Sequence, residues 1–157
     1  MKGKPLTDFK SGYAYAIRLL YRADYTSKMI EDKLLSRGLS KELAREVTDK
    51  LKSDGYTDDL DYGRKFIEDA CNLKSKGAKY IEFELSKRGL AKEDISSLME
   101  EHYRPDIKRA LDNILRKLSK ELSDLDYKEI ASVKGKLIRK GYSFDEIAKV
   151  LKEDYIE

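Results

Sequence analysis

Apolar residues recur along this chain at intervals of three and four, the spacing that puts them on one face of a helix. The pattern also repeats on a longer scale. Leu34-Leu35-Ser36-Arg37-Gly38-Leu39-Ser40, Leu85-Ser86-Lys87-Arg88-Gly89-Leu90-Ala91 and Leu137-Ile138-Arg139-Lys140-Gly141-Tyr142-Ser143 each end a helical run in a basic residue, a glycine and an apolar residue. The glycines are 51 and then 52 residues apart. Eight positions before them stand Ile30, Ile81 and Val133; four before, Leu34, Leu85 and Leu137; nine after, Val47, Leu98 and Val150. A fixed interval of this size is the signature of a repeat architecture.

Each glycine is placed to end a helix in a left-handed conformation, with the preceding cation facing the negative end of the helix dipole. Two residues later, Ser40 and Ser143 can cap the following helix, whereas Ala91 has no side-chain acceptor. Ser143 with Glu146 fits a reciprocal capping box. A further helix precedes each pair, expected over Tyr13–Ala23, Leu60–Leu73 and Asp106–Leu122, with Thr26 capping the helix after the first. The expected fold is all-α: three tandem three-helix repeats in an elongated, curved, solenoid-like array. The boundaries expected are a short N-terminal segment over 1–12, then repeats over 13–56, 57–104 and 105–157.

Composition sharpens this picture. Of 157 residues, 40% are charged and 40% are apolar, with 9 Gly and 2 Pro, which suits helices and disfavours a turn-rich β fold. Net charge is +3, and no repeat exceeds +2, too little to indicate a nucleic-acid partner by itself. The one cysteine, Cys71, allows no internal disulfide and fits a reducing compartment. The longest charge-free stretch, Ser11 to Ile17, is far too short to span a membrane. A cytoplasmic protein without membrane contact is expected.

Little in the chain suggests catalysis, and the expectation is no enzyme, no cofactor and no metal. His102 is the single histidine and lacks ligand partners of its kind. Cys71 falls on a helix that buries Phe66 and Ile67, with no histidine near it in sequence. Asp58, Asp59 and Asp61 fit helix capping better than metal binding. The basic clusters remain. Lys74, Lys76 and Lys79 surround Gly77, Lys134, Lys136, Arg139 and Lys140 share neighbouring turns, and Lys33 lies one turn from Arg37. Each reads as a solvated face or as a footprint for phosphate or an acidic surface. The tyrosines near repeat ends, Tyr56, Tyr103 and Tyr155, fit packing between repeats.

Asp58-Asp59-Leu60-Asp61-Tyr62-Gly63-Arg64-Lys65-Phe66-Ile67 is similar to the Asp-Asp-x-x-Tyr-Ala-x-x-Phe-Val run of the RecX family of bacterial regulatory proteins. Lys76-Gly77 through Ile81, Glu84-Leu85 and Gly89 is similar to its Lys-Gly-x-x-x-Ile-x-x-Glu-Leu-x-x-Lys-Gly run. Leu137 through Ile147 is similar to its closing Leu-x-x-Arg-Gly-Phe-Ser-x-x-x-Ile. Gly63 stands where alanine is usual, Lys140 and Tyr142 replace arginine and phenylalanine, and the N-terminal segment offers only Lys2, Lys4 and Lys10 as a basic extension.

The resemblance implies three three-helix repeats. It further implies a modulator of the RecA recombinase, lying in the groove of the RecA–single-stranded DNA filament and restraining ATP hydrolysis, strand exchange and filament growth. Such a protein acts in DNA repair, homologous recombination and the SOS response. A monomer that touches single-stranded DNA within the filament is expected. The contact candidates are Arg64, Lys74, Lys76, Lys79, Arg88, Arg139 and Lys140. The alternative is a helix-turn-helix-like protein that binds DNA directly. Against it stand Glu42, Glu46, Glu93, Asp94, Asp145 and Glu146 near the third helices.

Overall fold

The computed structural model describes residues 3–153, and these form helices joined by short turns. Among them no helix is long and apolar enough to cross a membrane. Tyr155, Lys2 and the outer ends of the first and last expected segments lie outside the described residues.

The first triplet is α1 (Phe9–Arg22), α2 (Ser27–Ser36) and α3 (Lys41–Ser53). The second is α4 (Asp59–Asn72), α5 (Ala78–Lys87) and α6 (Lys92–His102). The third is α7 (Ile107–Leu118), α8 (Tyr127–Arg139) and α9 (Phe144–Glu153), with a 3-10 turn at Leu122–Asp124 between its first two helices. Every extensive helix–helix contact falls inside a triplet. The fold is therefore all-α, three tandem three-helix repeats, each with its own core.

Those cores use the repeated positions. Ile30 and Leu34, Ile81 and Leu85, Val133 and Leu137 are all fully buried, and Val47, Leu98 and Val150 close the same cores from the third helices. Each large side chain so buried contributes about 1.5–3 kcal/mol. Gly12 and Gly63 occupy equivalent positions on the first helices of two repeats, where a Cβ would meet Leu39 at 2.8 Å and Leu98 at 2.6 Å. Gly63 in place of alanine thus lets α4 approach Leu90 and Leu98 closely.

Helix ends depart from expectation where local chemistry intervenes. α1 starts four residues early because Asp8 and Ser11 form a reciprocal capping box. α7 stops at Leu118 because Ser119 turns left-handed, at φ 53. Thr26, Ser40 and Ser143 accept from the first turns of α2, α3 and α9. The Glu146 carboxylate also accepts from Ser143 N–H at 2.8 Å.

A single contact rule joins the repeats. The last carbonyl of each second helix is capped by a donor from upstream. Thr26 Oγ1 donates to Arg88 O at 2.6 Å, and Gly77 N donates to Lys140 O at 2.8 Å. At the first turn the donor comes from the segment before α1, where Leu6 N donates to Arg37 O at 2.9 Å. At the second junction the backbones nearly touch. A Cβ on Gly141, at φ 105, would lie 2.5 Å from Tyr80 N and 2.8 Å from Gly77 O. Gly55 also has positive φ, 81, but nothing lies within 4 Å of its Cβ position. Gly55→Ala is expected to cost only the left-handed penalty, about 1–2 kcal/mol. Gly141→Ala must also push two repeats apart and is expected to cost at least about 1 kcal/mol more. Urea denaturation of the two variants, followed by circular dichroism, measures the difference.

Candidate functional site

The junction between the second and third repeats is built from the α4–α5 loop on one side and the end of α8 on the other. Ser75 in that loop is buried and left-handed, at φ 51. Repeat three holds it there: Arg109 Nε donates to Ser75 Oγ at 2.9 Å, Arg109 Nη2 to Cys71 O at 2.5 Å, and Tyr142 Oη to Ser75 O at 2.6 Å. Lys79 N donates to Gly141 O at 3.1 Å, and Lys140 Nζ to Lys74 O at 3.2 Å. The loop is thereby pinned, with its lysines arranged around it.

Beside this junction lies a groove of about 290 Å³, lined by Lys76, Ile114, Lys117, Lys136, Arg139 and Lys140. Among the described residues no carboxylate lines it. Lys76 comes from the second repeat and the other cations from the third. Lys76 Nζ lies 4.4 Å from the centre of the Tyr80 ring, which holds the ammonium at the rim. Partial burial pushes the Lys140 amine below the ordinary lysine range, and the nearby charges of Lys76 and Lys117 push it the same way. Packed cations with no counter-charge among the described residues of the groove are held at an electrostatic cost that a bound anion removes.

The first junction has the opposite character. Its crevice, about 450 Å³, is lined by Ser27, Lys52, Gly55, Thr57, Asp58, Asp59, Leu60 and Asp94. The aspartates there are engaged structurally. Asp58 caps α4 through Asp61 N, Asp59 accepts from Ser27 N at 2.9 Å, and Asp61 pairs with Arg64 and Lys65.

The sequence candidates thus separate. Lys76, Arg139 and Lys140 converge in the groove, and Lys74 meets it through its carbonyl. Lys79 lies on the other flank of the same turn, its ammonium 5.9 Å from the Phe144 ring centre. Arg64 is spent on Asp61 and Glu68 along its own helix. Arg88 pairs with Glu84, donates to Tyr62 Oη at 3.0 Å and stacks on Phe66, so it belongs to the core wall of its repeat. Lys136 stands in a basic cluster of the sequence but not among the contact candidates, and Lys117 stands in neither. Lys117 follows core residue Ile114 by one turn, a spacing that would have placed it near the end of α8 had the α7–α8 packing been known.

The other singled-out groups have structural surroundings. Cys71 is buried, and burial pushes its thiol upward, away from the reactive thiolate. His102, in the last turn of α6, lies 3.8 Å from Glu68 and 3.7 Å from Glu101. The third helices open on exposed Glu42, Glu93, Asp94 and Asp145.

Comparison with known proteins adds to this geometry. Residues 13–51 match the family model described as "RecX, first three-helix domain". A "Regulatory protein RecX" of Caldanaerobacter subterraneus subsp. tengcongensis is 32% identical over 143 residues, covering 90% of this chain and 70% of that protein. One of Oceanobacillus iheyensis is 26% identical, and the chain spans about half, 52%, of its length. The crystal structure of RecX from Lactobacillus salivarius superposes with a TM-score of 0.73 at 25% identity, covering 95% of this chain and 98% of that one.

The crowding of the groove is open to titration. Replacing Lys76 by Gln removes one repelling charge, so the Lys140 amine is expected to titrate at higher pH in that variant. Burial is the larger cause and persists, so the recovery is expected to be partial. Side-chain amine NMR of lysine-labelled protein, across a pH series, reads the change.

Proposed function

The chain belongs to the RecX family of regulatory proteins, and on that premise we propose that it binds the RecA–single-stranded DNA filament and restrains its ATP hydrolysis, strand exchange and growth. The observation that supports this reading is the carboxylate-free groove of Lys76, Lys117, Lys136, Arg139 and Lys140. A row of cations spanning two repeats suits a partner that presents regularly spaced phosphates. The aspartate-lined crevice at the other junction carries the opposite sign. A body with both signs at successive junctions can meet phosphate at one point and a basic protein surface at another, which fixes its direction on the filament.

Restraint needs no bond-making by this chain. A ligand that spans neighbouring filament subunits, and prefers one of their arrangements, slows every step that must pass through the others. Repeat proteins suit such bridging because the repeat spacing holds contact points a set distance apart. The nucleic-acid-facing residues in this reading are Lys76, Lys117, Lys136, Arg139 and Lys140, with Lys74 and Lys79 beside them. Arg64 and Arg88 keep structural roles.

The test is a titration of the purified chain against ATP hydrolysis by RecA on single-stranded DNA. Hydrolysis is expected to fall with increasing chain. The double reversal Lys136→Glu, Arg139→Glu is expected to need at least about tenfold more protein for the same effect, since buried or grooved charge contacts are worth about 1.4 kcal/mol or more each. Arg64→Gln is expected to stay within about twofold of the parent, because its partners are on its own helix. No change in hydrolysis at saturating chain overturns the reading.

A further inference from the structure

The chain contains four phenylalanines. Phe9 and Phe66 pack against the first and second cores. The other two, Phe83 and Phe144, are 65% and 72% exposed. Both flank one lysine. Phe83 lies one helical turn beyond Lys79 on α5, and the Phe144 ring centre is 5.9 Å from Lys79 Nζ. Exposed phenylalanine has no polar tip to keep it wet, so a paired exposure beside a cation calls for an occupant.

The repeats isolate these rings as departures. The residue after the cap of the third helix is Lys41 in the first repeat, Lys92 in the second and Phe144 in the third. Six positions before the turn glycine stand Asp32, Phe83 and Gly135. The repeat architecture therefore does not require an aromatic at either place. Phe144 meets Lys79 at the second junction, the one that carries the cationic groove, and Phe83 follows Lys79 by one turn of α5.

The rings and the groove lie on the two flanks of one turn. Lys140 lines the groove, the next residue Gly141 accepts from Lys79 N, and Phe144 follows three residues on. We propose that this junction is a binding site for unpaired nucleic acid, with Phe83 and Phe144 as stacking surfaces for bases and the groove cations as seats for the adjoining phosphates. The site rests on the reading that the groove faces the single strand of the filament, and adds that Phe83 and Phe144 touch its bases. A single strand offers alternating anions and free π-faces, and it is the polymer that satisfies both features together. A duplex keeps its bases stacked inside and leaves the rings without a partner. An apolar protein helix would fill the rings but leave the cations uncompensated.

The two parts of the site predict different losses. Phe83→Ala with Phe144→Ala removes stacking and no charge. Both side chains are exposed, so the fold is expected to persist. Affinity of the free full chain for a fluorescein-labelled oligothymidine is expected to fall at least about tenfold, given the usual worth of a base–aromatic stack, while the slope of log affinity against log salt stays unchanged. Affinity for a duplex of equal length is expected to stay within about twofold. Lys136→Glu with Arg139→Glu is expected to flatten the salt slope by about 1.4 for single strands, and to weaken duplex binding as well. Fluorescence anisotropy at four salt concentrations reads all of these.

Unchanged oligothymidine affinity in the phenylalanine double variant overturns the proposal. So does an equal loss on duplex. If that variant binds oligothymidine normally but loses inhibition of RecA hydrolysis, the rings contact protein, and the stacking proposal falls while the filament reading stands. If the parent chain fails to inhibit hydrolysis yet shows the ring-dependent loss, the filament reading falls and the stacking site stands.

Discussion

The carbonyl at the end of each second helix cannot be left bare. A helix end leaves its last carbonyls without partners inside the helix, and a buried one must find a donor. Here the glycine turn exposes that carbonyl to whatever lies upstream in the chain. Arg37 O takes the N–H of Leu6, Arg88 O takes the hydroxyl of Thr26, and Lys140 O takes the N–H of Gly77. Each bond points the same way along the array, so the repeats can stack in one order only. The start of α8 is capped differently. Asp126 and Glu129 form a capping box at the start of α8, and Lys120 bonds both oxygens of Glu129, so this helix start is saturated from within its own repeat.

Different chemistry meets the same demand at each junction. Thr26 caps its own helix through Met29 N and also donates to the next repeat, so one hydroxyl serves both tasks. Gly77 has no side chain to donate and uses its backbone instead. Its lack of a Cβ is then a requirement of space, since that atom would lie 2.5 Å from the carbonyl carbon of Gly141. The closer backbone approach at the second junction brings the α4–α5 loop, rich in lysine, against the lysine-rich end of α8. The first junction brings the aspartates at the start of α4 into its crevice. Opposite charge at two equivalent junctions arises from residues that also cap and tie the repeats, Asp58 and Asp59 at one and Lys140 at the other.

What the sequence disclosed follows from this division. The turn glycines, the buried Ile30, Ile81 and Val133, and the Ser143–Glu146 box are local or periodic features, and periodicity is visible without coordinates. The start of α1 at Phe9 was legible too, because Asp8 and Ser11 have the spacing of a capping pair. The fate of Arg64 and Arg88 was also within reach: Asp61, Glu68 and Glu84 sit three or four residues away, the distance at which helical charges pair. The groove was not legible. Lys117 and Lys76 are far apart in sequence, and segment charges of +2 or less average away a cluster drawn from two repeats. The stacking of α7 on α8 and of repeat on repeat had to be known before those charges could be added together.

The same stacking makes the groove conditional. The repeats have separate cores, and the second is tied to the third by a handful of hydrogen bonds from Gly77, Lys79, Arg109, Tyr142 and Lys140. Each is worth about 0.5–1.5 kcal/mol net, so the junction is weaker than the cores on either side. Lys76 sits on one side of it and Lys140 on the other, and their repulsion opposes closure. An anion seated between them reverses that term and favours the docked arrangement. By reciprocity, whatever holds the repeats together must strengthen anion binding by the same factor. The repeat junction is therefore part of the binding site in the thermodynamic sense, and the glycine contact that allows it belongs to the function as much as the lysines do.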